Sequence, residues 1–248
     1  MKLLLLNPNT SESVTERIAN AAKDAASPGT ELIAMTAPRG VPYIATRAEA
    51  QIGGAVALEV LAEVHAGVDV AVIAAFGDPG LGGARELFPI PVIGLAEAGM
   101  LTACMLGRRF SIVTFSQSLE AWYEECVAWN GLQSRCASIR ALGGEFRSIG
   151  DVQNEKEELL IELANQAVIN DGADVIVLAG APLAGLAKKV RDRINVPVVD
   201  CVEAAVKQAE ALFALAPRKA VQGTYRRPGA KPCIGVPDAL SRWIAHEE

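Results

Sequence analysis

Short apolar runs bounded by Gly, Pro or Asp alternate along this chain with longer stretches whose apolar positions recur every three to four residues. The short runs cover residues 3–6, 70–74 and 92–95, and then 111–114, 175–179 and 198–199. A continuous apolar run of this length reads as a strand buried on both faces, as in the middle of a parallel sheet. Helical periodicity marks 13–25, 50–66, 83–88, 98–105, 119–130, 152–170, 183–194 and 202–213. Strand and helix in alternation predict a doubly wound α/β architecture with right-handed crossovers.

The pattern repeats. Gly67-Val68-Asp69-Val70 and the apolar run after it match Gly172-Ala173-Asp174-Val175 at a spacing of 105 residues. Pro91-Val92-Ile93 and the helix start that follows match Pro197-Val198-Val199 at 106, and the run before Asn7 resembles the run before Thr114 at about 107. Three matches in one order at nearly one spacing predict two similar halves, 1–98 plus 207–248 and 99–206, related by a pseudo-twofold axis. Ligands of open α/β sheets bind beyond the carboxyl ends of the strands, so two facing halves place those ends around one crevice. Past residue 215 the chain is rich in Pro, Gly, Lys and Arg. It reads as an irregular arm closed by a short helix near 239–245, either solvated or packed on the first half or on a partner subunit.

Composition narrows the class. Of 248 residues, 51% are hydrophobic, enough for a sizeable core, and 21% are charged. A net charge of −6 with 5% aromatics argues against a nucleic-acid surface. No apolar run reaches the roughly 18–20 residues of a membrane span, and the run at 3–6 is too short for a signal-peptide core. The five cysteines form no CxxC pair and the two histidines, His65 and His246, lie far apart, so no zinc site is expected. The expectation is a reduced, cytoplasmic α/β protein that binds a small molecule, with no nucleic-acid or membrane partner.

The candidate chemistry stands at the strand ends. In Asn7-Pro8-Asn9-Thr10-Ser11-Glu12, Asn9 and Glu12 have capping-box spacing, and the helix-start amides behind them favour an anionic or carbonyl ligand. Phe76-Gly77-Asp78-Pro79-Gly80 lacks the spacing of a nucleotide-phosphate loop. Asp78 reads as the cap of the next helix, with Pro79 at its first position, or as a base in the crevice. Thr114-Phe115-Ser116 offers hydroxyls for a carbonyl or carboxylate, or a second cap at Ser116. Gly180-Ala181-Pro182 is the matching end in the second half. A Gly/Pro loop carrying Tyr43, Ile44 and Arg47 is placed to cover a ligand, with Arg47 either a carboxylate clamp or an ordinary surface cation. Cys201 is the cysteine at a predicted strand end, reactive or simply packed.

Several of these segments resemble the aspartate/glutamate/hydantoin racemase superfamily, and within it the hydantoin/allantoin racemase branch. They are Leu6-Asn7-Pro8-Asn9-Thr10-Ser11, Phe76-Gly77-Asp78-Pro79-Gly80-Leu81, the run from Pro91 to Ala98, Arg109 to Thr114 and Asp174 to Leu178. The resemblance implies two pseudo-symmetric α/β halves with the site between them, no cofactor, and a homo-oligomer. It also implies proton transfer at a carbon next to a carbonyl, on a small hydantoin-, allantoin- or amino-acid-like substrate. In that family two cysteines flank the reacting carbon, one just before the Phe-Gly-Asp-Pro-Gly motif and one at the end of the strand that here contains Val175–Leu178. This chain has Ala75 and Gly180 there. Neither carries a proton, so the two-thiol mechanism is not available. Three readings follow: an isomerase using other groups, with Asp78, Thr114, Ser116 and Cys201 as candidates; a lyase or hydrolase of a related carbonyl compound; or a non-catalytic binder. Asn9, Tyr43, Ile44, Arg47, Ala75, Phe76, Gly77, Thr114, Phe115, Ser116, Gly180, Ala181 and Pro182 are the expected substrate-binding residues. All three readings require Ala75 and Gly180 to face one crevice.

Overall fold

The computed structural model describes residues 1–144, 147–149 and 151–247. Its described residues form two four-stranded parallel sheets of identical order. The first holds β1 (Lys2–Asn7), β2 (Glu31–Thr36), β3 (Val70–Ile73) and β4 (Val92–Gly94), arranged β2-β1-β3-β4. The second holds β5 (Phe110–Thr114), β6 (Cys136–Ala141), β7 (Val175–Leu178) and β8 (Val198–Asp200), arranged β6-β5-β7-β8. Corresponding registers agree: Leu3 lies opposite Val70 and Phe110 opposite Val175. The duplicated, doubly wound halves expected from the sequence are present.

Two strands, β2 and β6, were not expected. Both are edge strands whose residues are mostly part-exposed rather than buried. In β6, Ser138 and Arg140 spend their side chains on Asp171. Strands part-exposed in this way need no continuous apolar run and leave a weaker signal, unlike the largely buried edge strands β4 and β8.

Helices flank each sheet: α1 (Glu12–Ala25), α2 (Arg47–Val64), α3 (Leu81–Leu87) and α4 (Leu95–Leu106) in the first part of the chain, then α5 (Glu120–Trp129), α6 (Val152–Asp171), α7 (Leu186–Val190) and α8 (Cys201–Leu215), with α9 (Asp238–Ala245) at the end. The helix expected over 183–194 is broken. Only its centre is α-helical, because Gly185 takes φ +82° and starts the helix late. Alternation along β1 splits the core. Leu3 and Leu5 join a cluster with Ile112, Val177 and Val206, whereas Leu4 and Leu6 pack with Val60, Leu61 and Phe88 on the other face. The first cluster spans both halves, so neither sheet is buried alone.

The halves are joined by crossed helices. α4 packs against α8; α4 also lies on β7 and β8, and α8 on β3, β4 and α1. Gln208 Nε2 donates to the Ala98 carbonyl at 2.9 Å and to Thr102 Oγ1 at 3.0 Å across that contact. The repeated Gly-x-Asp motif is structural. Asp69 accepts from the Lys2 amide, and Asp174 from the Arg108 and Arg109 amides, so each ties its strand to the start of the central one. The terminal helix packs on the first half: Trp243 Nε1 donates to the Leu87 carbonyl at 3.1 Å, and its ring meets His65 and Phe88. Most of 216–237 before it is exposed. Among the described residues no helix is long and apolar enough to cross a membrane.

A long-range carboxylate fastens α8 to the turn before β2. Glu210 accepts from Ser27 N at 2.7 Å, Ser27 Oγ at 2.8 Å, Thr30 Oγ1 at 3.0 Å and Lys207 Nζ at 2.9 Å. Burial opposes its ionisation, but these donors outweigh that and hold it down at about 2 from the ordinary 4.5. A depressed acid stabilises the fold above its unfolded pKa, and the contribution disappears as pH falls through the folded value. Glu210→Gln is expected to cost on the order of 1–3 kcal/mol at pH 7 in urea unfolding. The gap to the parent protein should close as the pH is taken from about 4.5 towards 2; an equal gap throughout that window would contradict the assignment.

Candidate active site

The loops at the carboxyl ends of the central strands converge between the halves. After β1, Asn7 is fully buried and its Nδ2 donates to Asn9 Oδ1 at 3.0 Å, to the Ser11 carbonyl at 3.1 Å and to Thr15 Oγ1 at 3.0 Å. Asn9 Oδ1 accepts from the Ser11 amide at 2.9 Å. The expected Asn9–Glu12 capping box is therefore absent. Asn9 closes a local turn instead, and α1 begins at Glu12 with Ser11 at the cap position. The covering loop is set by a different capping box. Thr46 Oγ1 accepts from the Glu49 amide, while the Glu49 carboxylate accepts from the Thr46 and Ala45 amides. This holds Tyr43 and Ile44 over the strand ends.

After β3 the backbone turns through Gly77 at φ +106°, Asp78 at +50° and Gly80 at +82°. Asp78 Oδ1 accepts from the Ala96 amide at 2.8 Å and Oδ2 from the Glu97 amide at 2.9 Å. It caps α4, not the helix that follows it, whose cap position is Gly80. Burial pushes its pKa up to about 7, against the pull of those two amides; Glu97 raises it further and Arg85 lowers it. In the second half Asp200 does the same work for its own helix, accepting from the amides of Val202 and Glu203, and it also accepts from the Gly185 amide ahead of α7. Burial raises its pKa to about 6.

A narrow cleft lies where the halves meet, with a volume of about 20 Å³, room for about one water. The first half contributes Asn9, Tyr43, Ile44, Ala75 and Phe76; the second contributes Phe115, Gly180, Ala181 and Pro182, together with Trp122 and Tyr123. Ala75 and Gly180, the pair related by the internal repeat, thus line one cleft. Gly180 sits at φ +112°, and a Cβ built on it would lie 2.8 Å from Phe115 Cε1. Aromatic rings pack the walls: Tyr43 on Phe115 with centroids 5.9 Å apart, and Phe76 on Tyr123 at 4.5 Å.

Six expected residues stand elsewhere. Asp78 lies at the α4 cap. Thr114 is fully buried and its Oγ1 donates to the Ala179 carbonyl at 3.0 Å, tying β5 to the end of β7. Ser116 caps nothing with its side chain, which pairs with Ser118 Oγ at 2.9 Å. Arg47 is exposed and its Nε donates to both carboxylate oxygens of Glu125 on α5, at 2.8 and 2.9 Å, so it bridges the halves instead of reaching into the cleft. Gly77 lies behind Trp122, where a Cβ would fall 2.2 Å from the indole. Cys201 is the first residue of α8. Its Sγ donates to the Leu178 carbonyl at 3.4 Å and packs against Gly99, and burial pushes the thiol pKa well up. These groups are absent from the cleft because each one's polar atoms, or its missing side chain, serve a packing need next to it.

Trp122 and Tyr123 were not anticipated. Helical periodicity over 119–130 marks a helix without saying which side meets the other half; the adjacent aromatic pair one turn into a helix that follows a central strand was the available signal. Among the described residues lining the cleft, the ionisable side chains are Tyr43 and Tyr123. Burial raises both phenols, with Glu49 adding to the effect at Tyr43, so both are neutral hydrogen-bonding groups near neutral pH. No group of three or more metal-ligating side chains is found among the described residues.

Residues 3–209 match the family described as Asp/Glu/Hydantoin racemase. The chain is 34% identical over 233 residues to a hydantoin racemase of Paenarthrobacter aurescens, covering 93% of this chain and 99% of that protein. It is 34% identical over 246 residues to a hydantoin racemase of Pseudomonas sp. (strain NS671), covering 98% of each. Its fold superposes on an allantoin racemase from Klebsiella pneumoniae with a TM-score of 0.91 and 37% identity, over 97% of this chain and 99% of that one.

The Asp78 cap makes a pH prediction. A carboxyl whose pKa is raised in the folded state stabilises the fold most when protonated, so stability falls as pH rises from its ordinary 3.8 through about 7. Asp78→Asn removes the ionisation and is expected to flatten that part of the melting-temperature profile. A parallel decline in both proteins between pH 5 and 8 would show that Asp78 ionises freely.

Proposed function

Because the chain belongs to the Asp/Glu/hydantoin racemase family, we propose that it is a cofactor-independent isomerase of small hydantoin- or allantoin-like rings. It binds the ring between its halves and exchanges the proton on a carbon next to a ring carbonyl. One observation carries this reading: Ala75 and Gly180, equivalent positions in the two halves, line a single enclosed cleft at the carboxyl ends of the central strands. Asn9 and the two neutral phenols supply polar contacts there, between apolar walls. A neutral phenol that donates to a carbonyl oxygen stabilises the negative charge developing on that oxygen as the adjacent C–H gives its proton to a water molecule, for which the cleft has room.

The thiol pair is not part of this chemistry. A side chain at 180 is opposed both by the positive φ and by the Phe115 ring. The acid–base capacity left in the cleft is that of Tyr43 and Tyr123, whose raised pKa values keep them protonated near neutral pH, able to donate a hydrogen bond but not to take up a proton as bases. That same property supports a second reading, in which the protein holds the ring without turning it over.

Solvent exchange separates the two. The protein is incubated in deuterated water with enantiopure 5-substituted hydantoins, allantoin, aspartate and glutamate. Deuterium uptake with loss of optical activity is the expected outcome for the isomerase. Ligand-induced thermal stabilisation without uptake would establish the binder, and a new product without uptake would indicate a lyase or hydrolase.

A further inference from the structure

The cleft is too small for the ring proposed to enter it, so part of its wall must give. A second hollow of about 650 Å³ lies alongside, between α2 and the 77–83 segment of the first half and α5 of the second. One side chain lines both spaces, the indole of Trp122. Gly77 makes this possible, because any side chain there would collide with the indole. A second indole on the same helix, Trp129, also borders the hollow and is 77% exposed. Gly80, Gly82 and Gly83 give the opposite side a flat backbone floor.

Three of the polar side chains around the hollow are engaged. The Asp78 carboxylate holds two α4 amides, Glu125 is paired with Arg47, and Asn130 Nδ2 donates to the Cys126 carbonyl. The rest of the lining is mainly apolar, the two indoles, Leu58, Leu81 and Pro79, with glycine backbone and the one further polar side chain of Gln51. Such a surface rewards burial of apolar area and penalises a polar group that finds no partner.

We infer that this hollow is the subsite for a substituent on the ring, and that Trp122 is the residue that divides it from the cleft and sets the size of substrate accepted. The ring enters the cleft as the Trp122 indole turns towards the hollow. An aromatic or bulky apolar group on the reacting carbon then lies on the glycine floor, between the two indoles. This rests on the ring-binding reading above and adds to it the class of substituent; a polar ureido group, as on allantoin, is the disfavoured guest.

Calorimetric titration with 5-methylhydantoin, 5-benzylhydantoin and allantoin tests it. Gly82 is the position to fill, since a Cβ there meets only Trp129 Cζ2, at 3.9 Å, and leucine suits the helix better than glycine. The parent protein is expected to bind the benzyl compound at least about tenfold more tightly than the methyl compound. Gly82→Leu is expected to weaken benzyl binding about tenfold and to leave methyl binding within about twofold. Trp129→Ala, at an exposed site, is expected to act in the same direction and serves as a second variant that does not test core packing. A benzyl preference unchanged in both variants, an equal loss for both hydantoins, or tighter binding of allantoin overturns the subsite. If neither hydantoin nor allantoin binds the parent protein, the ring-binding reading itself falls and takes the subsite with it.

Discussion

Two helices, α4 and α8, pack on each other at the junction of the halves, and each begins at a buried carboxylate. The first amides of a helix need acceptors, and these N-termini lie where water is scarce. The two halves meet the need differently. In the second, Asp200 ends β8 and caps its own helix. In the first, the equivalent position is Gly94, and the carboxylate arrives from Asp78, eighteen residues upstream of the amide it binds. Gly94 has to lack a side chain, because a Cβ there would stand 2.3 Å from Asp78 Oδ2. Once Asp78 is pinned, the turn carrying Ala75, Phe76 and Gly77 is pinned with it, and so is one wall of the cleft.

The cleft wall at 180 has no room for a side chain. The Phe115 ring occupies the space a side chain at 180 would need, and Gly180 takes a backbone conformation that L side chains avoid. A side chain at 180 is thus excluded by the packing of the second half, and the surrounding groups are aromatic and neutral. The halves are also bridged by the Arg47–Glu125 pair, whose side chains are both more than half exposed. An exposed pair of this kind contributes at most about 1 kcal/mol, so it orients the halves there without locking them. The packing of α4 on α8 does the locking.

The duplicated strands and the identity of most cleft positions were legible because they depend on local pattern. A central strand buried on both faces must be continuously apolar, a repeated motif keeps its spacing, and the residues just past a central strand must sit at its carboxyl end. Asn9, Ala75, Phe76, Phe115 and the Gly180–Pro182 turn follow from that logic; Tyr43 and Ile44 were read instead from a Gly/Pro loop placed to cover a ligand. β2 and β6 escaped it because half-exposed strands carry no such pattern.

Tertiary structure alone decided where the polar side chains at those ends would turn. Asp78 had an amide to satisfy at α4 as well as at α3; Thr114, a carbonyl at the neighbouring strand end; Arg47, a carboxylate seventy-eight residues away on the other half. Sequence periodicity states which face of a helix is apolar, yet not which neighbour that face will meet, so Trp122 and Tyr123 could be placed on a helix but not against the cleft. A chain's own pattern fixes what must be buried; the competition of distant donors, acceptors and rings for the same buried space fixes what is left facing a ligand.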